Sequence, residues 1–206
     1  MKSKFFFIGI LAFVVAVIIF YSYSGGGSDE SYFDELTKER QAKNDFLQSG
    51  DESPFGNEKK NFKSLNYFAP NLNYRISARL VPIERKKAIA LPTSDGIEKK
   101  YLEYAYAQFE INGESCKLLI LEIMDDGPYR GTLFLAFADA TSATETYGAG
   151  RYIDLKKTPG ASSIVLDFNK AYNPYCAYSD NYSCPFPPRE NTLKPAIRAG
   201  EKKYHD

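Results

Sequence analysis

The sequence predicts a mainly β fold, an antiparallel barrel or a two-sheet sandwich, preceded by an N-terminal transmembrane helix and a short soluble helix. Three observations carry this expectation. From Tyr74 onward, apolar residues recur with a period of two in seven runs bounded by turn residues, which is strand patterning. Asn112-Gly113 falls between two of those runs, and a type I′ hairpin turn needs positive φ at both central positions. Ahead of all this, Phe5 to Phe20 is apolar throughout except for one glycine, with Lys2 and Lys4 before it.

In chain order, residues 1–23 read as a transmembrane signal anchor. Tyr21-Ser22-Tyr23 extends the apolar run to an aromatic edge, and about nineteen residues at 1.5 Å rise span roughly 28 Å, close to the hydrocarbon thickness of a bilayer. Segment 5–23 would therefore contact the lipid bilayer. Lysines precede the run and Asp29 and Glu30 follow it, so the N-terminus is expected in the cytoplasm and the C-terminal domain outside it. The alternative is a cleaved signal, with Ser22 and Ser24 as the small residues, which would leave a secreted or periplasmic protein. Residues 24–28 form a Gly/Ser tether, and 29–206 a single β-rich domain. Within it, Tyr32, Phe33, Leu36, Phe46 and Leu47 suit a partly amphipathic helix over 29–49, capped near Ser28 or Asp29. Its middle, 37–44, is polar enough that only the ends should pack. Gly50, Ser53-Pro54 and Gly56 end it.

Candidate strands cover 74–81, 86–91, 101–111, 115–124, 132–138, 151–155 and 163–169. Leu118-Leu119-Ile120-Leu121 is apolar on both parities, which places it at the centre of the sheet. Asp125-Asp126-Gly127-Pro128 breaks the chain after it. Short connections between neighbours predict an antiparallel meander, and seven strands fit a barrel or a sandwich.

Composition excludes several functions. The 26 basic and 26 acidic side chains balance, so nothing draws the chain to nucleic acid, and the scattered lysine pairs read as solvated surface. The one histidine is His205, beside the C-terminus, which removes histidine triads, histidine general bases and multi-histidine zinc sites. Chemistry would have to use carboxylates, Tyr, Lys, Arg or Cys; no metal and no cofactor is expected. The 16 tyrosines each join apolar area to a hydroxyl, which suits a polar-tipped pocket.

The polar residues concentrate in the last third. Tyr147-Gly148-Ala149-Gly150-Arg151 lacks the pattern of a phosphate loop and leads into a strand, so its glycines read as a turn with positive φ or close backbone approach. Strand parity puts Arg151 with Ile153 and Leu155, and Tyr152 with Asp154. It also puts Asp167 and Asn169 on one face, leading into Tyr172-Asn173-Pro174. Asp167 could act as a base or hold a cation; alternatively Asp167 and Asn169 tie down the loop backbone. A buried Arg151 needs a carboxylate partner, with Asp167 or Glu190 as the candidates. Cys176 and Cys184 lie eight residues apart among turn residues, and a disulfide is the main reading, with free thiols the alternative. Cys116 reads as an inert strand thiol. Cys184-Pro185-Phe186-Pro187-Pro188 cannot continue a sheet and would return Glu190 and Asn191 to the same polar end. The candidate ligand-binding set is Arg151, Tyr152, Asp167, Asn169, Tyr172, Asn173, Glu190 and Asn191.

The runs TYGAGRYIDL (146–155), LDFNKAYNPYCAYSDNYSCPFPPREN (166–191) and AIRAGEKKY (196–204) resemble the bacterial domain-of-unknown-function family 1684. So do 62–68, Tyr74-Arg75 and 133–139, so the resemblance covers most of the chain beyond about residue 35. Members typically read Asp-x-Thr-Asn-Gly before the TYG segment, whereas this chain has Asp139-Ala140-Thr141-Ser142-Ala143. The resemblance carries over no activity and no catalytic residue. The expected function is a membrane-anchored, extracytoplasmic binding or interaction domain. Its C-terminal loops would form a polar, Tyr-rich pocket for a small-molecule or glycan ligand. The alternative is a hydrolase-like enzyme using Asp167 and Glu190 as acid and base; a purely structural envelope role would need no polar pocket.

Overall fold

A computed structural model describes residues 26–205. The expected anchor and the rival signal cleavage fall on 1–25, outside the described residues. Among the described residues no helix is long and apolar enough to cross a membrane. The chain divides into two units, with the boundary after Lys43.

Helix α1, Gly26–Ser49, starts within the stretch expected to be a tether, so 26–28 are helical rather than part of a free linker. It stops at Gly50, whose N–H donates to Phe46 O at 2.7 Å. A Cβ at Gly50 would lie 2.6 Å from the Phe46 ring, so only glycine fits there. The last turn holds by its apolar residues, as its pattern predicts: Leu47 packs with Leu65, Ala177 and Tyr178, flanked by Phe46, Phe55 and Phe62.

All seven expected strands form, within a few residues of their predicted ends: β1 (Arg75–Pro82), β2 (Ala88–Pro92), β3 (Glu98–Ile111), β4 (Glu114–Ile123), β5 (Leu133–Phe137), β6 (Arg151–Leu155) and β7 (Ser163–Asp167). The β3–β4 turn has Asn112 at φ 52° and Gly113 at φ 77°, the positive pair that a type I′ hairpin needs. Pairing departs from a pure meander. Strands β3 to β6 run as one, but β7 pairs antiparallel with β1, giving the order β6-β5-β4-β3-β1-β7. One edge of the long β3 takes β2 along 98–102 and β1 along 105–108, and the bulge between Glu103 and Ala105 falls where the two meet.

The two-sheet sandwich gives way to a single sheet curled into a half-barrel, because its two ends must serve one core. Ala78 of β1, Phe109 of β3, Ile120 of β4, Leu135 of β5, Ile153 of β6 and Leu166 of β7 pack into the same cluster. The loop 156–162 joins the two end strands of the sheet. Near it lies a cavity of about 280 Å³ lined by Leu80, Tyr104, Leu133, Lys156 and Ile164. Segment 118–121 is buried on both parities, as its composition predicts: Leu118 and Ile120 face this core, while Leu119 and Leu121 pack with Leu91 and Tyr101.

The turn after β5 forms without an Asn-Gly pair. Ala143 takes φ 65°, a left-handed conformation that costs an alanine about 1–2 kcal/mol. Thr141 O accepts from Thr144, Glu145 and Thr146 N–H groups at 2.9–3.1 Å and holds the turn regardless. Glycine there removes the strain but gives the unfolded chain about 0.4–1 kcal/mol of extra entropy. Ala143→Gly is therefore expected to stabilise by about 0.5–1 kcal/mol, read as a raised urea midpoint at unchanged slope.

Candidate functional site

The polar residues of the last third converge on a buried strut. Arg151, 1% exposed on β6, donates to Asp139 Oδ2 and to Ile197 O, each at 2.9 Å, to Glu201 O at 3.2 Å, and also to Ala199 O. Its face is set by the β5–β6 register, which pairs it with Phe137, and its guanidinium lies over that ring at 5.3 Å. Asp139 Oδ1 accepts from Thr141 N at 2.8 Å, Thr141 Oγ1 at 2.7 Å and Ile197 N at 3.1 Å. Burial pulls Arg151 below its ordinary pKa, and the Asp139 charge and hydrogen bond oppose it. The pair thus fastens segment 197–201 to the sheet. This corrects the expectation that Arg151 pairs with Asp167 or Glu190.

Those two carboxylates serve other neighbours. The chain leaves β7 at Asp167 and enters a 3-10 turn, Phe168–Lys170, so the strand parity that put Asp167 and Asn169 on one face stops there. Asp167 Oδ1 caps the turn, accepting Asn169 N at 3.1 Å, and its Oδ2 is 3.7 Å from Arg75 Nε. Asn169 clamps the backbone of Asn71, accepting its N–H and donating to its carbonyl, both at 2.9 Å. Glu190 is exposed beside Tyr106, whose pKa is raised by burial first and then by the Glu190 hydrogen bond. Its neighbour Asn191 is fully buried; it accepts Leu119 N at 2.7 Å and donates to Leu119 O at 2.9 Å and Ala136 O at 2.8 Å, bridging β4 and β5.

The remaining candidates hold loops in the same way. Tyr152 donates to Pro185 O at 2.6 Å and Tyr172 to Asp154 Oδ1 at 2.8 Å, and burial raises the pKa of both phenols. Backbone bonds between these two tyrosines cover the β6 edge. Asn173 donates to Glu201 Oε1 at 2.7 Å and to Lys202 O at 2.8 Å, and Tyr178 also donates to the Glu201 carboxylate, which is fully buried. Asp139 and Glu201, the carboxylates at the centre of these contacts, are absent from the predicted set.

A different group of C-terminal side chains walls open space. A cavity of about 330 Å³ is lined by Thr146, Tyr147, Gly148, Lys203, Tyr204 and His205, with Ala143 and Ala177. None of the eight predicted residues lines it. Tyr204 is held rigidly: its ring stacks on Phe62 at 6.1 Å, meets Phe55 and Tyr178 edge-on, and its hydroxyl accepts Lys63 N at 2.8 Å. On the other side, Gly150 places Tyr147 by a turn with φ 91°, and a Cβ at Gly150 would sit 2.7 Å from Phe137 O. This is the close approach expected of the glycine turn. Burial raises the Tyr147 pKa, followed by its hydrogen bond to Cys176, with Oη and Sγ 3.8 Å apart.

Cys176 and Cys184 are free thiols, so the expected disulfide is not formed, but the expected neighbourhood is. Cys176 N donates to Cys184 Sγ at 3.2 Å. Among the described residues no three His, Cys, Asp or Glu side chains converge as a metal site would need.

A family described as "Protein of unknown function (DUF1684)" matches residues 60–202. A solution NMR structure of an uncharacterised protein from Haloarcula marismortui is 36% identical, with a TM-score of 0.64, covering 85% of this chain and 96% of that chain. No curated protein matches. The family match takes in the sheet, the Arg151 strut and both loop cysteines, and ends one residue before Lys203.

Proposed function

The chain belongs to the DUF1684 family, whose description assigns no activity, and we propose that it is a membrane-tethered, extracytoplasmic binding domain for a small polar molecule. The supporting observation is the cavity between Tyr147 and Tyr204, large enough for a ring-sized ligand. The two tyrosines supply aromatic side chains to the lining, and Lys203 adds positive charge at the wall. That combination suits a sugar or ring bearing an anionic substituent. The hydrolase reading has less support, since Asp167 caps its own turn and Glu190 lies against Tyr106.

A thermal-shift screen of acidic sugars and small ring acids on the full chain in detergent tests this reading, because a ligand that binds the native state raises its midpoint. At least one compound should raise the midpoint of the wild type and lose most of that shift in Tyr147→Ala. A hit whose shift survives Tyr147→Ala, or a screen with no hit, counts against the site. The tether is tested by carbonate extraction of cell membranes with intact-mass measurement. Retention in the pellet at full mass is expected; a soluble product starting near Gly25 means a cleaved signal.

A further inference from the structure

Two thiols held against each other by a rigid frame can do more than staple a loop. Cys184 lies in a segment docked on the end of β2: its carbonyl accepts Ser94 N at 3.0 Å, its N–H donates to Ser94 Oγ at 3.2 Å, and Phe186 N donates to Pro92 O at 2.9 Å. Its side chain is buried. Cys176 sits in the short 3-10 turn Tyr175–Ala177, partly exposed, with its own N–H directed at Cys184 Sγ and the Tyr147 hydroxyl 3.8 Å from its sulfur. Of the two, Cys176 is thus the more exposed residue. We propose that Cys176 and Cys184 form a reversible dithiol–disulfide exchange site, with Cys176 as the attacking sulfur and Cys184 as the resolving one.

The surroundings divide those roles. Cys176 is lowered to about 6, first by the Cys184 thiol hydrogen bond and then by those from Tyr147 and Ser94, against an opposing effect of burial. Cys184 is pushed up by the same partner and by burial. Cys176 is therefore the readier of the two to form the thiolate, the nucleophilic form, while Cys184 holds its proton more tightly. The Cys176 thiolate attacks one sulfur of a small-molecule disulfide, breaking its S–S bond and expelling a thiolate, to leave a mixed disulfide. Cys184 then gives up its proton and attacks Cys176 Sγ, forming the internal disulfide and expelling the second thiolate. The external disulfide takes up two electrons and leaves as two thiolates, which become thiols with the proton given up by Cys184 and one from water, while the protein pair is oxidised by two electrons. A dithiol reductant runs the same steps backward. Cys116 takes no part: it lies on β4, and burial raises its pKa.

The test uses the full chain, reduced, then exposed to oxidised glutathione and read by intact mass and peptide mapping. Wild type should lose two hydrogens, with Cys176 linked to Cys184, and dithiothreitol should restore both thiols without denaturant. Cys184→Ser should trap a glutathione adduct on Cys176, while Cys176→Ser should acquire none on Cys184 in the same time. Iodoacetamide labelling of Cys176 should be half-maximal at a pH below the ordinary thiol range. Equal adduct formation in the two serine variants overturns the proposal, as does a wild type whose two thiols persist in excess oxidant. A bond that only denaturant exposes to reduction makes the pair a structural staple and also overturns it. None of these outcomes depends on ligand binding at Tyr147, so the two readings fail separately.

Discussion

Arg151→Met is expected to destabilise the chain by about 3–5 kcal/mol, because it leaves the Asp139 carboxylate buried without its cation. Both side chains are 1% exposed, so water cannot screen or replace the missing partner. The loss also strands the carbonyls of Ile197 and Glu201, which accept from the same guanidinium. Asp139→Asn should cost a similar amount, since an uncompensated guanidinium then remains at the end of β6. The double variant removes both charges, so it should be more stable than the sum of the two single losses predicts, by about 2 kcal/mol or more. Urea melts of the four proteins at one pH measure this. Additive losses would refute the strut, whereas Asp167→Asn should couple only weakly to Arg151→Met, because Asp167 pairs with Arg75.

Much of the sheet is legible in the sequence because strand patterning is local. Period-two alternation, Asn112-Gly113 and the doubly apolar 118–121 each follow from short-range chemistry, and each survives in the structure. Pairing is not local: that β7 returns to β1 depends on which buried faces match across the whole chain. The candidate site divides along the same line. An arginine among apolar strand residues signals a buried ion pair, and that demand is readable from Arg151 alone. Its answer is not, since Asp167 and Glu190 are nearer the loop motifs whereas Asp139 lies two residues past the end of the adjacent strand. The β5–β6 register, with Phe137 opposite Arg151, would single out Asp139 just beyond it. Glu201 gave less signal still, because in Gly200-Glu201-Lys202-Lys203 it reads as one more solvated charge. Only the Tyr178 and Asn173 donors around it reveal a buried acceptor. Asparagines such as Asn169 and Asn191 bond backbone distant in sequence, which composition cannot distinguish from ligand binding.

The same C-terminal segment should fail most sharply at Gly200. Its φ is 76°, and a Cβ there would lie 2.5 Å from Ala171 O and 2.7 Å from Phe168 O, both backbone atoms that cannot swing aside. Gly200 O accepts Phe68 N at 2.9 Å, and the next residue's N–H donates to Ala171 O at 2.9 Å, so the segment is held from both sides. Relief by moving it would also pull at the Ala199 and Glu201 carbonyls that Arg151 binds. Gly200→Ala therefore adds about 1–2 kcal/mol of left-handed strain to about 1–3 kcal/mol of overpacking. A net loss of about 2–5 kcal/mol is expected. Gly160→Ala is the matched control: its φ is 73°, but nothing lies within 4 Å of the added carbon. It carries only the strain, reduced by the lower entropy of the unfolded chain, and should cost about 1 kcal/mol or less. Urea melts followed by circular dichroism compare the two. A Gly200→Ala loss no larger than that of Gly160→Ala would mean that the carbonyls of Phe168 and Ala171 yield, and that segment 197–201 is held less tightly than its contacts with Arg151 require.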